Sequence, residues 1–255
     1  MTNVSTPSPW IVRFNTSPSP RLRLVCFPYS GGSPSAFGTW SEALPNDVEL
    51  CAVSLPGRQS RFREPAISRM EELIAGCLPS IKALLDRPCV FFGHSLGALV
   101  AFETVRCLLR ESLPLPRRLI VSARRAPPLP LGRPPIAHLD DEKFVQAVDT
   151  LFQGIPREAL ASPELLELVV PALRADVTLG EAYVYAPGPS LICPIEAWYA
   201  TGDQNCSEAQ ARAWSEQTNA GFELRAFDGG HMFITSARAQ ILARLNEILA
   251  NGAPL

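Results

Sequence analysis

The segment Gly93-His94-Ser95-Leu96-Gly97 places a serine between glycines, directly after the apolar run Cys89 to Phe92 and before a helical pattern from Ala98 to Arg110. A serine held on a strained turn between strand and helix is what nucleophilic acyl transfer requires. Small neighbours let strand and helix approach, and the helix N-terminus directs unpaired N–H groups and its positive dipole end at the reacting centre. The backbone N–H of Leu96 is therefore an expected oxyanion donor. The same five letters also describe an ordinary glycine-flanked turn, but the buried run before them and the helix after them weigh against it.

Such a serine needs a base, and the chain has only three histidines. His94 lies within the turn, its side chain expected to point away from Ser95 in a packing role. His138 reads as a surface or capping residue. His231 follows Asp228-Gly229-Gly230 just beyond the run Phe222 to Phe227. From there it can swing over a sheet edge to the serine, and it satisfies the chain order serine, acid, histidine. The acid should follow a strand end between them. Asp203, after Ile195 to Ala200, meets that requirement, and Asp176 and Asp228 are the alternatives. The loop Phe27-Pro28-Tyr29-Ser30-Gly31-Gly32-Ser33 follows the first apolar run. Its glycines let the backbone curl towards a substrate, which makes the N–H of Ser30 the expected second donor.

Positioning these groups calls for strands. Apolar runs at Leu22 to Phe27, Val48 to Val53, Cys89 to Phe92, Leu119 to Ser122, Ile195 to Ala200 and Phe222 to Phe227 alternate with helical patterns. This predicts an α/β fold, a mostly parallel central sheet flanked by helices. The rhythm breaks after Arg124: a Pro-rich stretch, Ala126 to Pro135, leads into helical patterns at His138 to Leu151 and Pro163 to Ala175. Residues 133–189 are therefore expected to form a helical lid insertion on a core of 21–132 and 190–255, with 1–20 a loosely ordered tail. Leu165, Leu166, Leu168, Val169 and Leu173 give the lid apolar faces that need a surface to cover.

A chain of 255 residues, 47% apolar, suits a single domain. Its 23 basic and 25 acidic residues nearly cancel without a basic run, which sets nucleic-acid binding aside. No stretch has the pattern of a signal peptide or a bilayer span, so no membrane association is expected and the location should be cytoplasmic. The seven cysteines form no Cys-x-x-Cys pair and read as buried free thiols. Arg58, Arg61 and Arg63 follow one apolar run and Arg124 and Arg125 another. Solvated or internally paired arginines are the favoured reading over contacts with an acidic surface or a phosphate.

At these residues the chain resembles the type II thioesterases that accompany polyketide synthases and nonribosomal peptide synthetases, within the α/β-hydrolase superfamily. The resemblance runs from about Leu22 to Ile248. It rests on Phe27-Pro28-Tyr29-Ser30-Gly31-Gly32, Leu55-Pro56-Gly57-Arg58, the serine turn, Ser122-Ala123-Arg124-Arg125-Ala126-Pro127 and Gly229-Gly230-His231, with a lid-like segment at Pro171 to Asp176. It implies the α/β-hydrolase fold and hydrolysis of acyl or peptidyl thioesters from the phosphopantetheine arm of carrier proteins, clearing aberrant or stalled groups. It implies no cofactor or metal, a monomer, catalytic roles for Ser95, Asp203 and His231, and oxyanion donors at Ser30 and Leu96. Two residues depart from the pattern: Ser30 stands where alanine is usual, and Met232 where an aromatic residue often follows the histidine. A small-ester hydrolase, an acyl-transferring or cyclising thioesterase, and a non-catalytic carrier-binding protein are the rival readings.

Overall fold

Strands buried on both faces must be largely apolar, and the apolar runs of this chain become such strands in the computed structural model, which describes residues 8–15, 19–155 and 157–250. Seven strands, β1 (Ile11–Arg13), β2 (Leu22–Phe27), β3 (Val48–Val53), β4 (Cys89–His94), β5 (Arg118–Ser122), β6 (Ile195–Ala200) and β7 (Phe222–Phe227), form one sheet in the order β1-β3-β2-β4-β5-β6-β7. All neighbours are parallel except β1 and β3. Every residue of β2, β3 and β4 is buried. β7, at the edge, instead alternates and carries Glu223 and Arg225 outward, charges that discourage pairing with another sheet.

From β2 the chain moves to β3 on one side and then returns to β4 on the other. That reversal opens a crevice beyond the carboxyl ends of β2 and β4, where open parallel sheets bind ligands. The helices are α1 (Met70–Lys82), α2 (Leu96–Arg110), α3 (Asp141–Phe152), α4 (Arg157–Leu160), α5 (Pro163–Ala182), α6 (Glu208–Arg212), α7 (Phe233–Ser236) and α8 (Arg238–Ala250). One apolar core lies under α1 and α2, and a second under α8 and the short helical turn at Pro34–Trp40.

Between β5 and β6 lie α3, α4 and α5, which carry a small core of their own, with Phe144, Val148, Val170, Leu173 and Val177 buried together. Asp140 caps α3 by accepting from the Lys143 N–H at 3.0 Å, and Ser162 caps α5 by accepting from Leu165 N–H at 3.3 Å. α5 runs to Ala182, one face buried through Val170, Leu173 and Val177. The expectation that all its apolar residues cover a surface is corrected here, because Leu165, Leu168 and Val169 lie on the opposite face and are exposed.

The expected loose tail is also corrected in part. Ile11 to Arg13 pair with β3, and Trp10 and Ile11 pack on the core beneath α1, so strand pairing and the burial of these apolar side chains outweigh the polar composition around them. Residues 1–7 and 16–18, the rest of that expectation, lie outside the described residues. Six cysteines are buried, Cys107 is half-buried, and all seven are free thiols. No described helix is long and apolar enough to cross a membrane.

Candidate active site

Ser95 sits between β4 and α2 with φ 54° and ψ −115°, a conformation that L-residues adopt only when their surroundings enforce it. Close backbone approach does the enforcing. A Cβ on Gly93 would lie 2.3 Å from the carbonyl oxygen of Gly97, and one on Gly97 only 2.0 Å from that of Phe27. Both glycines are therefore required for β4, α2 and the end of β2 to meet. The Ser95 N–H donates to the carbonyl oxygen of Ser122 at 2.7 Å, fastening the turn to β5.

The loops after β6 and β7 converge on this turn. They are joined where the Thr201 and Gly202 N–H groups donate to the Phe227 and Gly229 carbonyl oxygens at 3.0 and 2.9 Å. His231 Nε2 lies 2.9 Å from Ser95 Oγ, and its Nδ1 lies 2.9 Å from Asp203 Oδ2. Asp203 Oδ1 accepts from the Asn205 N–H at 2.8 Å. All three side chains are buried. With Nδ1–H donating to the carboxylate, the Nε2 lone pair faces the hydroxyl, and the arrangement can take a proton from Ser95 while Asp203 stabilises the resulting imidazolium. The ring of Phe152 on α3 packs at 5.0 Å from that of His231.

His94 points away from the hydroxyl and does more than fill space. Its Nε2 is 3.0 Å from the backbone carbonyl oxygen of His231, and its Nδ1 is 2.9 Å from Ser122 Oγ. Burial, with His231 nearby, pushes its basicity well below the ordinary histidine value of 6.5, although the bond to the His231 carbonyl opposes the shift. A neutral ring has one N–H, and only a donor can satisfy a carbonyl, so Nε2 donates and Nδ1 accepts from the Ser122 hydroxyl. Residue spacing signals none of this.

Neither alternative acid bonds to His231: Asp228 is exposed, and Asp176, which lines the same cleft, is bonded to Arg58 and the Gly31 N–H. His138 is exposed. Arg58 and Arg61 are internally paired, to Asp176 and Glu64, and Arg63 is exposed. Arg124 reaches the cleft beside Ser95, and Arg125 joins it in lining an adjoining recess that Ser95 and His231 also reach.

Ser95 and His231 open into a cleft of about 580 Å³ roofed by Val148, Phe152, Leu173 and Val177 of α3 and α5. Ser30 and Leu96 line it too. Leu96 is the first residue of α2, where an N–H has no intrahelical acceptor. Among the described residues the Ser30 N–H donates to no backbone acceptor. No cluster of metal-ligating side chains occurs among the described residues.

A family model described as "Thioesterase domain" matches residues 22–249. Gramicidin S biosynthesis protein GrsT of Aneurinibacillus migulanus is 34% identical over 242 residues, 95% of this chain and 94% of GrsT. Thioesterase PikA5 of Streptomyces venezuelae is 38% identical over 249 residues, covering 96% of this chain and 88% of PikA5. The solved structure of the type II thioesterase BorB from the borrelidin biosynthetic cluster superposes with a TM-score of 0.84 at 33% identity, covering 95% of this chain and 97% of BorB. The serine turn, the converging loops and the cleft all fall inside the matched span, and the chain belongs to the thioesterase domain family.

Proposed function

We propose that the protein is a serine thioesterase that hydrolyses acyl or peptidyl thioesters from the phosphopantetheine arm of carrier proteins. The observation that carries this reading is the alignment of Asp203, His231 and Ser95 through two contacts of 2.9 Å at the floor of a lined cleft. His231 takes the Ser95 proton as Oγ attacks the thioester carbonyl, and the oxyanion is received by the N–H groups of Ser30 and Leu96. The arm leaves as a thiol after accepting that proton. Water, activated by the same imidazole, then releases the acid from Ser95. No cofactor or metal enters the scheme.

The relatives support an editing role, since BorB is a type II thioesterase of a biosynthetic cluster and GrsT a gramicidin S biosynthesis protein. Carrier proteins bearing aberrant or stalled groups are the partners in this reading, met in the cytoplasm by a monomeric enzyme. Residues 133–189 act as the lid over the acyl group, their roofing side chains Val148, Phe152, Leu173 and Val177 forming the wall it meets.

The deciding experiment compares turnover of acyl-carrier thioesters with that of free esters bearing the same acyl group. Preferential release from the carrier is the expected result. Turnover of the free esters alone would assign the site to small-ester hydrolysis, and no turnover of either would leave a carrier-binding protein.

A further inference from the structure

Asp176 answers a need other than that of an acid for His231. It is 2% exposed on α5, and Arg58 Nη1 and Nη2 donate to its two oxygens at 2.6 and 2.8 Å. The backbone N–H of Gly31 donates to Oδ2 at 2.8 Å. Arg58 Nη1 also donates to the carbonyl oxygen of Gly32 at 3.2 Å. One buried ion pair thus grips the backbone on both sides of Gly31, joining α5, the loop after β3 and the loop after β2.

The gripped segment is a tight turn. The Gly32 N–H donates to the Tyr29 carbonyl oxygen at 2.8 Å, and Gly31 has φ +72°, the positive value that a type II turn demands at its third residue. Ser30 is the second residue of that turn. In such turns the peptide between the second and third residues has two orientations, and the bond from Gly31 N–H to Asp176 fixes which one is taken; the Ser30 N–H, on the preceding Tyr29–Ser30 peptide, is held with it because the Gly32–Tyr29 bond closes the turn around Ser30. A Cβ at Gly31 would lie 3.1 Å from Leu173 Cδ1, so α5 presses on the same peptide.

We infer that Asp176 and Arg58 are positioning residues that hold the turn carrying the Ser30 N–H at the oxyanion position and make the seating of α5 a condition for that donor being set. The inference rests on the reading of Ser95 as nucleophile. Moving α5 away separates Asp176 from Gly31 and from Arg58 together, leaving two buried charges unpaired, so the contact is made or broken as a unit. Substrate closure and completion of the oxyanion site become one event.

The test uses the full chain with Asp176→Asn and Arg58→Lys, an acyl-carrier thioester and a p-nitrophenyl ester as substrates, and two inhibitors. One inhibitor is a trifluoromethyl ketone that adds to Ser95 and presents an oxyanion; the other is an unreactive thioether of the same acyl chain. Each variant should lose about 10- to 100-fold in kcat, somewhat less than deletion of a donor, with KM within about threefold of wild type. The ketone should lose affinity by the same factor as kcat/KM, while thioether affinity holds. Should Asp176→Asn not fold, Arg58→Lys carries the test, because lysine keeps the charge but not the paired grip on Asp176 and Gly32. Unchanged kcat at a lowered melting temperature, or equal losses for ketone and thioether, overturns the inference. Wild-type turnover of the ester without the carrier thioester would remove the proposed substrate, and the ester series would still decide the role of Asp176.

Discussion

The Nε2–H of His94 donates to the backbone carbonyl oxygen of His231 across 3.0 Å, so the residue next to Ser95 steadies the backbone that carries His231. Burial keeps His94 neutral far below the ordinary value of 6.5. An unfolded chain protonates this residue below that value while the folded one does not, so the unfolded state binds more protons. Stability therefore falls as pH drops from 6.5 through the folded value. Melting curves of wild type and His94→Gln at about pH 7.5 and pH 5.5 should show a smaller decline for the variant, which is less stable at the higher pH. Parallel declines would remove His94 as the source.

Asp203→Asn should lower turnover by something near 10⁴-fold, on the order seen where an amide stabilises the wrong imidazole tautomer. Asp228→Asn, altering an exposed side chain, should stay within about threefold of wild type. Steady-state rates on one thioester decide between them. A larger loss at Asp228 would move the acid there.

Glu196 on β6 is fully buried and accepts from Arg118 at 2.6 Å, from Arg244 at 2.8 and 2.9 Å, and from Trp198 Nε1 at 2.9 Å. Burial pushes its carboxyl up, but the bonds from Arg244 and Trp198 and the charge of Arg118 outweigh that and hold it below the ordinary 4.5. Its contribution is thus complete above pH 4.5 and is lost as pH falls through the lower folded value. Glu196→Gln should cost about 2 to 4 kcal/mol near neutral pH by urea unfolding, with the gap to wild type closing in acid. A constant gap would contradict the charge-based account.

The sheet was legible because its central strands are buried on both faces and read as largely apolar runs, in which Arg23, Glu49 and Glu196 are charges paired inside the fold. β1 was not, since three residues among Pro, Ser and Asn give no such run. The groups around Ser95 were legible for a different reason: few histidines exist, and Asp203 and His231 each follow a strand end. What spacing does not disclose is pairing between distant loops. Arg58 and Asp176 are 118 residues apart, and His94 meets the His231 carbonyl from 137 residues away. Only the folded chain brings these together. On α5 the apolar residues Leu165, Leu168 and Val169 lie off the stripe that turns inward, and residue type alone does not tell an exposed apolar face from a buried one.

In the proposed mechanism Ser95 carries the acyl group during thioester hydrolysis. The most direct test of that role is the rate at which wild type and Ser95→Ala release an acyl group from a carrier protein, followed by intact-protein mass spectrometry of the carrier. The variant should fold, since alanine preserves the backbone of the turn, and release should slow by roughly 10⁴-fold or more. A folded Ser95→Ala protein that kept about a tenth of wild-type release would contradict that role, because a loss that small is far short of what deletion of a nucleophile produces.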